Sequence, residues 1–501
     1  MAQLVVDKPA SSELEIEVHD QPMSVVIDAE KFPLLAAMTQ EERTAIETKL
    51  RWKVDFRLLP ILVLMYIMNY LDRNTIAQAK LGGLVEDLGL TDSQYLTCVA
   101  ILNAGYLLMQ VPSNIWLNKF GKPGAYISCC MVVWGAISTA SGATHNFAGL
   151  FCARFFLGFV EAAFYPGAMF TLSTWYKREE LSKRMALFYT GSQISGAFSG
   201  LIAGGVVFGM DGLRGLRAWR WLFLLEGAAT ILIAMSAFFI LPNFPQTTKW
   251  LTPVEKEMAV WRLQADITHA EWTSSEEQIT WKAFIMAMKD WRNWFFVAMV
   301  YGTGASLAVN NFFPSVLATL GRGRVETLLL TSPPFLLSCI TMFIICWNAD
   351  RTQDRYWHFT IPLWFSLAGF IIVAATTNFG ARYFGAMIMI PGIYSGFNMA
   401  FAWTANTIYG PPGKRAVAIA FNNAFSGLAG LYSAYLYPSN AAPRYAIALG
   451  VSAGMVFMAI CAATALHFLL ARENRKIEKQ EQESNGDDSV LAHPRGFRFL
   501  T

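Results

Sequence analysis

The chain has 501 residues, of which 54% are hydrophobic and 15% charged, and its formal net charge is +3. Soluble domains carry about 25% charged residues, so the deficit points to lipid as the main solvent, and the near balance of charge argues against a nucleic-acid partner. The seven cysteines fall in apolar runs without a CxxC pair, which makes them small packing residues and not a disulfide framework or a zinc site.

Residues 1–53 are mixed and polar. They lack the basic stretch, apolar core and cleavage site of a signal peptide. Residues 41–53 are expected to form a short amphipathic helix on the membrane surface. The first long apolar run, 56–78, then serves as an uncleaved anchor. It contains Asn69-Tyr-Leu-Asp72-Arg73-Asn74-Thr75. The Asp-Arg pair reads either as a helix end reaching lipid headgroups or as a charge pair facing a cavity. Ile76-Ala-Gln-Ala79 continues the helical pattern beyond it and favours the second.

Five further runs follow, at 94–117, 124–144, 147–173, 185–208 and 221–241, each near the ~20 residues a membrane helix needs. The fourth run carries Arg154-Phe-Phe-Leu-Gly158-Phe-Val-Glu161-Ala-Ala-Phe-Tyr-Pro166-Gly167. Arg154 and Glu161 are about two turns apart, roughly 10 Å of rise, so both lie on one helix face. A charge in a membrane helix costs roughly 2.5–3.5 kcal/mol even on the lenient insertion scale, and marks a solute or proton pathway by default. The simplest expectation is that Glu161 pairs with Arg154.

A hydrophilic stretch, 242–290, is too polar to cross a membrane. Within it, Thr252-Pro253-Val-Glu255 reads as a capping box with proline at the first helical position. Six more apolar runs occupy 294–317, 328–347, 359–377, 383–407, 417–437 and 445–471. The tail from Arg472 is rich in Gln, Glu and Lys and is expected to be disordered.

The plan is therefore an all-α polytopic membrane protein with about twelve spans. It divides into an N-terminal tail (1–53), a six-helix bundle (54–241), a linker (242–291), a second six-helix bundle (292–471) and a C-terminal tail (472–501). Two sets of six spans around a long loop suit a transporter built from two repeats. An even span count puts both ends on one side. The basic flanks Arg51, Lys53 and Arg57, with Arg472, Arg475, Lys476 and Lys479, make that side cytoplasmic. Arg214, Arg217, Arg220, Arg322 and Arg324 run against this pattern.

Glycines are dense within the spans. Gly196-x3-Gly200-x3-Gly204 lays a smooth strip along one face, which serves either static close packing or helices that slide. Gly392, Gly396, Gly427 and Gly430 form similar sites. Pro333-Pro334 and Pro391 are expected to kink their helices.

Several stretches together carry a family resemblance. They are Tyr70-Leu-Asp72-Arg73, Glu86-Asp-Leu-Gly-Leu90, Gly105-Tyr-Leu-Leu-Met-Gln-Val-Pro112-Ser-Asn114 and Lys119-Phe-Gly-Lys-Pro123. Further on come the Arg154–Glu161 stretch, Trp219-Arg-Trp-Leu-Phe223 with Glu226-Gly227, Leu241-Pro242-Asn-Phe-Pro245 and Trp250-Leu-Thr-Pro253. The chain resembles the major facilitator superfamily, and within it the anion:cation symporter group typified by fungal allantoate permease. The resemblance runs from about Lys49 to Lys476 and is denser in the first half. It implies two six-helix bundles and proton-coupled uptake of small carboxylates by alternating access. It also implies that Arg73 and Arg154 contact the anion and that Asp72 and Glu161 carry protons. Where the family often reads Arg-x-Asn-Ile-Gly-Asn, this chain reads Arg73-Asn-Thr75-Ile-Ala77-Gln78.

Residue chemistry supports an anion independently. Arginine stays protonated and offers a planar fork that fits a carboxylate. Gln193 and Asn398 are the leading polar partners because they neighbour glycine-rich faces, and Asn310, Asn311, Asn422, Asn423, Tyr165, Tyr394 and Trp403 are further candidates. The expected partners are thus a small carboxylate, protons and the lipid bilayer, with a monomer in the plasma membrane. No cofactor is expected. The GxxxxGK[ST] spacing of a P-loop, metal-ligand spacings and nucleophile motifs do not occur, which argues against an enzyme or an ATP-driven pump. A channel or receptor is disfavoured by the two-half plan. Export of a fungal secondary metabolite by the same fold remains an open alternative.

Overall fold

A computed structural model describes residues 31–271, 281–408, 412–483 and 498–500. Residues 1–30 of the N-terminal tail and residues 484–497 and 501 of the C-terminal tail lie outside the described residues. What is described is helical, with no strand among these residues.

After a single turn of helix at Pro33–Ala36, the first long helix, α1, begins at a capping box. Thr39 Oγ1 accepts from the Glu42 amide at 3.4 Å, and Glu42 Oε2 accepts from the Thr39 amide at 2.9 Å. Residues 40–59 contain no glycine or proline, so once nucleated the helix propagates, and α1 runs unbroken over Gln40–Leu81. The separate surface helix expected at 41–53 is therefore corrected: it is the first third of α1. At ~1.5 Å per residue, α1 is about twice as long as a ~30 Å hydrocarbon core. Its polar start stands clear of the core and packs on the linker helix α8 (Pro253–Glu271). There Lys53 Nζ meets Glu255 at 2.7 Å, and the Arg57 guanidinium lies 4.7 Å from the Trp250 ring centre. The expected capping box of α8 is present, with Thr252 and Glu255 bonded reciprocally at 2.9 and 3.3 Å.

The first half continues with α2 (Asp92–Phe120), α3 (Pro123–Ser141), α4 (Phe147–Glu161), α5 (Phe164–Ser173), α6 (Arg178–Gly209) and α7 (Ala218–Ile240). The fourth apolar run is thus split immediately after Glu161. Pro166 lacks the N–H that would bond the Ala162 carbonyl, so the ladder restarts at Phe164. α1 packs on α6 and α7, α3 on α7, and α2 on α4.

The second half contains α9 (Trp291–Ser306), α10 (Ser332–Thr352), α11 (Tyr356–Ala375), α12 (Phe379–Thr407), α13 (Pro412–Gly427) and α14 (Ala446–Glu483). Among the described residues, 10 helices are long and apolar enough to cross a membrane. The other two expected spans are interrupted. α9 gives way to a 3-10 segment, Leu307–Phe312, and then to Phe313–Ala318. α13 gives way to Ala429–Tyr432 and a 3-10 turn, Ser433–Leu436. Such breaks survive at membrane depth where the backbone is buried in protein or lines a cavity. α14 carries its helix through Glu483, so the start of the tail is ordered, contrary to the expected disorder. Its Glu, Lys, Arg and Gln residues are good helix formers extending an existing helix.

The halves meet at the end remote from α8 and from the start of α1. The glycine strip of α6 faces the other half: a Cβ at Gly196 meets Phe335, one at Gly200 meets Leu328 and Thr331, and one at Gly204 meets Leu329. The strip is thus an interface between halves. Gly392 and Gly396, by contrast, pack on Pro362, Leu363 and Ser366 inside the second half. A second set of contacts joins α2 to the other half, where Asn103 Nδ2 donates to the Gly430 carbonyl at 3.1 Å and the Ser439 amide donates to Asp92 at 2.8 Å.

Candidate functional site

A cavity of about 270 Å³ lies between the halves, near the lower end of the ~300–1,000 Å³ of small-molecule pockets. α1, α2, α4 and α6 line one side, and the interrupted spans with α12 line the other. Its two charged residues are both arginines, Arg73 and Arg154.

Arg73 projects from the last quarter of α1. Its Nε donates to Glu161 Oε2 at 2.6 Å, and its guanidinium stacks 4.4 Å from the ring centre of Tyr106 and 5.7 Å from that of Tyr70. Its one close hydrogen bond to a described residue is the Nε contact, the Tyr106 hydroxyl lies within polar reach of the guanidinium, and the side chain is 20% exposed. Aromatic faces hold the cation without consuming its N–H groups, so the outer fork stays available.

Arg154 is more deeply set. Nη1 donates to the Asp72 carbonyl at 3.2 Å and Nη2 to the Arg73 carbonyl at 3.1 Å, tying α4 to α1. Its Nε is buried without a partner among the described residues. The expected Arg154–Glu161 pairing is therefore corrected. Glu161 bonds Arg73 on α1, while Arg154 is held by two backbone carbonyls. The seven-residue spacing puts both groups on one face, but α1 lies across that face and supplies nearer partners.

Of the sequence candidates, Arg73, Arg154, Gln193 and Asn398 line the cavity, together with Asn310, Asn311, Asn423 and Tyr394. Asn398 Nδ2 donates to the Tyr394 carbonyl at 2.8 Å, and Asn310 Nδ2 donates to the Tyr394 hydroxyl at 2.9 Å. Glu161 sits behind Arg73 and does not line the wall. Neither does Asp72, which is turned into the first half, where Trp134 Nε1, Ser138 Oγ and Thr230 Oγ1 donate to it at 3.2, 2.7 and 2.8 Å. Trp403 and Asn422 are buried away from the cavity, and Tyr165 reaches it only through its contact with Tyr189.

Sequence reasoning missed Asn74, Asn103, Tyr106 and Gln110 in the wall. The last three sit at helical spacing on α2, so a polar stripe was readable there. It also passed over Glu226, a carboxylate buried within the sixth span. Among the described residues, no cluster of His, Cys, Asp or Glu is placed to hold a metal ion.

Two helical halves, interrupted spans and a polar cavity at their interface define a multi-pass membrane transporter. The Major Facilitator Superfamily profile matches residues 62–434, and the chain belongs to that family. It is 34% identical over 483 residues to the MFS-type transporter cnsO of Penicillium expansum, covering 91% of each chain. It is 30% identical over 477 residues to the Major facilitator-type transporter hxnP of Emericella nidulans, covering 91% of this chain and 93% of the relative. Among solved structures, it resembles an inward-facing, unoccupied bacterial homolog of the human lysosomal transporter Spinster. The TM-score is 0.63 at 16% identity, covering 87% of this chain and 98% of that one. It also resembles a D-xylose-proton symporter, with a TM-score of 0.61 at 14% identity and coverage of 82% and 97%. At these identities the structural likeness shows the fold alone. The protein is a secondary transporter and not an enzyme.

Proposed function

We propose that the protein is a proton-coupled symporter that brings a small organic carboxylate into the cell across the plasma membrane by alternating access. The observation that carries this reading is the Arg73 fork. A half-buried cation makes its one close hydrogen bond, to Glu161, through Nε and lines a cavity with no acidic side chain among its described lining residues. A carboxylate satisfies such a fork bidentately. Gln193, Asn310 and Asn398 supply the polar groups that orient the rest of the molecule.

Proton coupling follows from the Glu161 contact. When Glu161 is ionised, it holds Arg73 by a charge-assisted bond. A proton on Glu161 weakens that bond and frees the guanidinium for the incoming anion, so proton and substrate favour each other's binding. With both bound, the buried charge is neutralised and the halves can rock over the glycine strip of α6. With both chain ends cytoplasmic, the sealed end is extracellular and this conformation opens inward. The chain is expected to work as a monomer.

The test is uptake into liposomes that contain the purified protein, screened across labelled small carboxylates with and without an inward proton gradient. Accumulation above equilibrium only with the gradient supports the reading. Uptake of neutral or cationic solutes in preference to carboxylates overturns it, and accumulation driven only by an outward proton gradient assigns export instead.

A further inference from the structure

The cavity scheme leaves one buried acid unused. Glu226 lies on α7, behind the cavity wall and against α1, and it is 3% exposed. α1 and α7 exchange two carboxylate–threonine contacts there. Thr230 of α7 donates to Asp72 of α1, and Thr75 of α1 is in hydrogen-bond contact with Glu226 of α7. Asp72 and Thr75 are three residues apart and Glu226 and Thr230 four, so each pair shares a helix face one turn apart.

The two carboxylates are provided for differently. Asp72 accepts from three side chains, one of them the Trp134 indole, which can only donate. Asp72 is therefore furnished as an anion. Glu226 has Thr75 alone, and its Oε1 is buried without a partner among the described residues. The one charged group acting on it from the packed helices is Asp72, of like sign, and neither α3 nor α6 faces it with a cation among the described residues. A carboxylate with one donor and no cation is very costly to bury, whereas a neutral acid is not.

Proton counting points the same way. The Thr75 hydroxyl carries one hydrogen, and Thr75 Oγ1 donates to the Leu71 carbonyl at 2.8 Å. That carbonyl can only accept. With this hydrogen committed, the contact between Thr75 and Glu226 contains a hydrogen only if the carboxyl group brings one.

We propose that Glu226 is held as a neutral carboxylic acid donating to Thr75, and that it forms a proton-binding site separate from the Arg73–Arg154 cavity. Release of the proton is a balanced exchange. The Glu226 O–H bond breaks, the proton passes to water when α1 and α7 part, and the Thr75 hydroxyl turns from Leu71 to donate to the new carboxylate. The part this proton plays in coupling rests on the symport reading above, but its presence does not.

Infrared difference spectroscopy of the purified full-length protein in phosphatidylcholine liposomes, without substrate, tests this directly. At neutral pH the wild type should show the carbonyl stretch of a protonated carboxyl group, sensitive to deuterium exchange and reversibly lost on raising the pH. Glu226→Gln should abolish the band and Asp72→Asn should keep it. A band retained in Glu226→Gln and still present when Glu161→Gln is added leaves neither carboxyl as its source and overturns the assignment, as does a wild-type band that Glu161→Gln alone abolishes. A band that no pH change removes overturns a role in transport. If Glu226→Gln does not fold, Thr75→Val serves instead. It deletes the acceptor, so the same band must move to higher frequency, and an unmoved band rejects the site. Failure of the carboxylate uptake screen leaves these outcomes unchanged, so the two readings fail separately.

Discussion

In the half formed by α1 to α7, charge is buried in depth. Arg73 and Arg154 line the cavity, and Glu161, Asp72 and Glu226 are buried behind them, carried on α1, α4 and α7. The half formed by α9 to α14 offers the cavity amides and a phenol, with Asn310 and Asn311 on the 3-10 interruption after α9, Asn423 in the last turns of α13, and Tyr394 and Asn398 on the continuous α12. Its own buried arginine, Arg382, makes an instructive contrast. Nε donates to the Val373 carbonyl at 3.2 Å, Nη1 to Thr319 at 2.7 Å and Nη2 to the Pro443 carbonyl at 2.7 Å. Every nitrogen of Arg382 is fixed by a close hydrogen bond, whereas Arg73 makes one such bond, through Nε, and otherwise rests against tyrosines at the cavity. Burial alone does not separate a structural arginine from a cavity one, since Arg154 is as buried as Arg382 yet lines the cavity, whereas the number of close hydrogen bonds on the guanidinium does. Both halves supply polar groups to the cavity, but its charge comes from the first half alone.

The strongest way to break this comparison is to remove the cation. Arg73→Ala should reduce carboxylate uptake by on the order of 100-fold or more, since deleting one partner of a buried hydrogen-bonded charge pair costs about 2–5 kcal/mol and strands Glu161. Arg73→Lys should remain poor, because an ammonium cannot reproduce the fork. Arg382→Lys should spare transport kinetics per folded molecule while lowering thermal stability. Normal uptake in Arg73→Ala at ordinary membrane levels would leave the first half without its assigned role.

Next in size is Glu161→Gln. Exchange between preloaded liposomes should persist while gradient-driven accumulation falls by at least about tenfold, the loss of roughly one charge-assisted bond. Equal loss of exchange and accumulation would make Glu161 a structural partner of Arg73 only.

The second half should respond more mildly. Asn398→Ala or Tyr394→Phe should weaken apparent affinity by about 2–10-fold, the effect of one neutral hydrogen bond of ~0.5–1.5 kcal/mol, with the maximal rate nearly kept. A loss as deep as that of Arg73→Ala would show that the halves share recognition equally.

The smallest effect concerns the rim. Burial pushes the Glu255 carboxyl up, but hydrogen bonds from Lys53 and Thr252 pull it further down, and the net shift is below the ordinary carboxylate range. A depressed acid contributes its stability above the unfolded value of about 4.3 and loses it as pH falls through the folded value. Lys53→Ala should therefore cost only about 0.2–1 kcal/mol near neutral pH and less in acid, read by proteolysis of the linker. A cysteine at Asn146 should also react with an impermeant reagent from outside intact cells, which checks the orientation assumed for both halves.

Much of this protein was determined by its sequence alone. Long apolar runs require helices in lipid, because each backbone group must be satisfied within its own segment. Arg73, Arg154, Asp72 and Glu161 stood out because charge is costly in such runs, and the Thr252–Glu255 cap was readable because a capping box is local. Pairing was not local. Glu161 meets Arg73 across 88 residues of sequence and Thr75 meets Glu226 across 151. Helical spacing fixes which residues share a face but not which neighbour that face is turned toward. Only tertiary packing decided that Asp72 looks inward to three donors, that Glu161 bonds Arg73 in preference to Arg154, and that the α6 glycines meet the opposite half. The interruptions at 307–312 and 428–436 were hidden for a related reason. Hydropathy reports whether a segment prefers lipid, whereas a helix breaks at membrane depth only where surrounding protein satisfies the freed backbone groups.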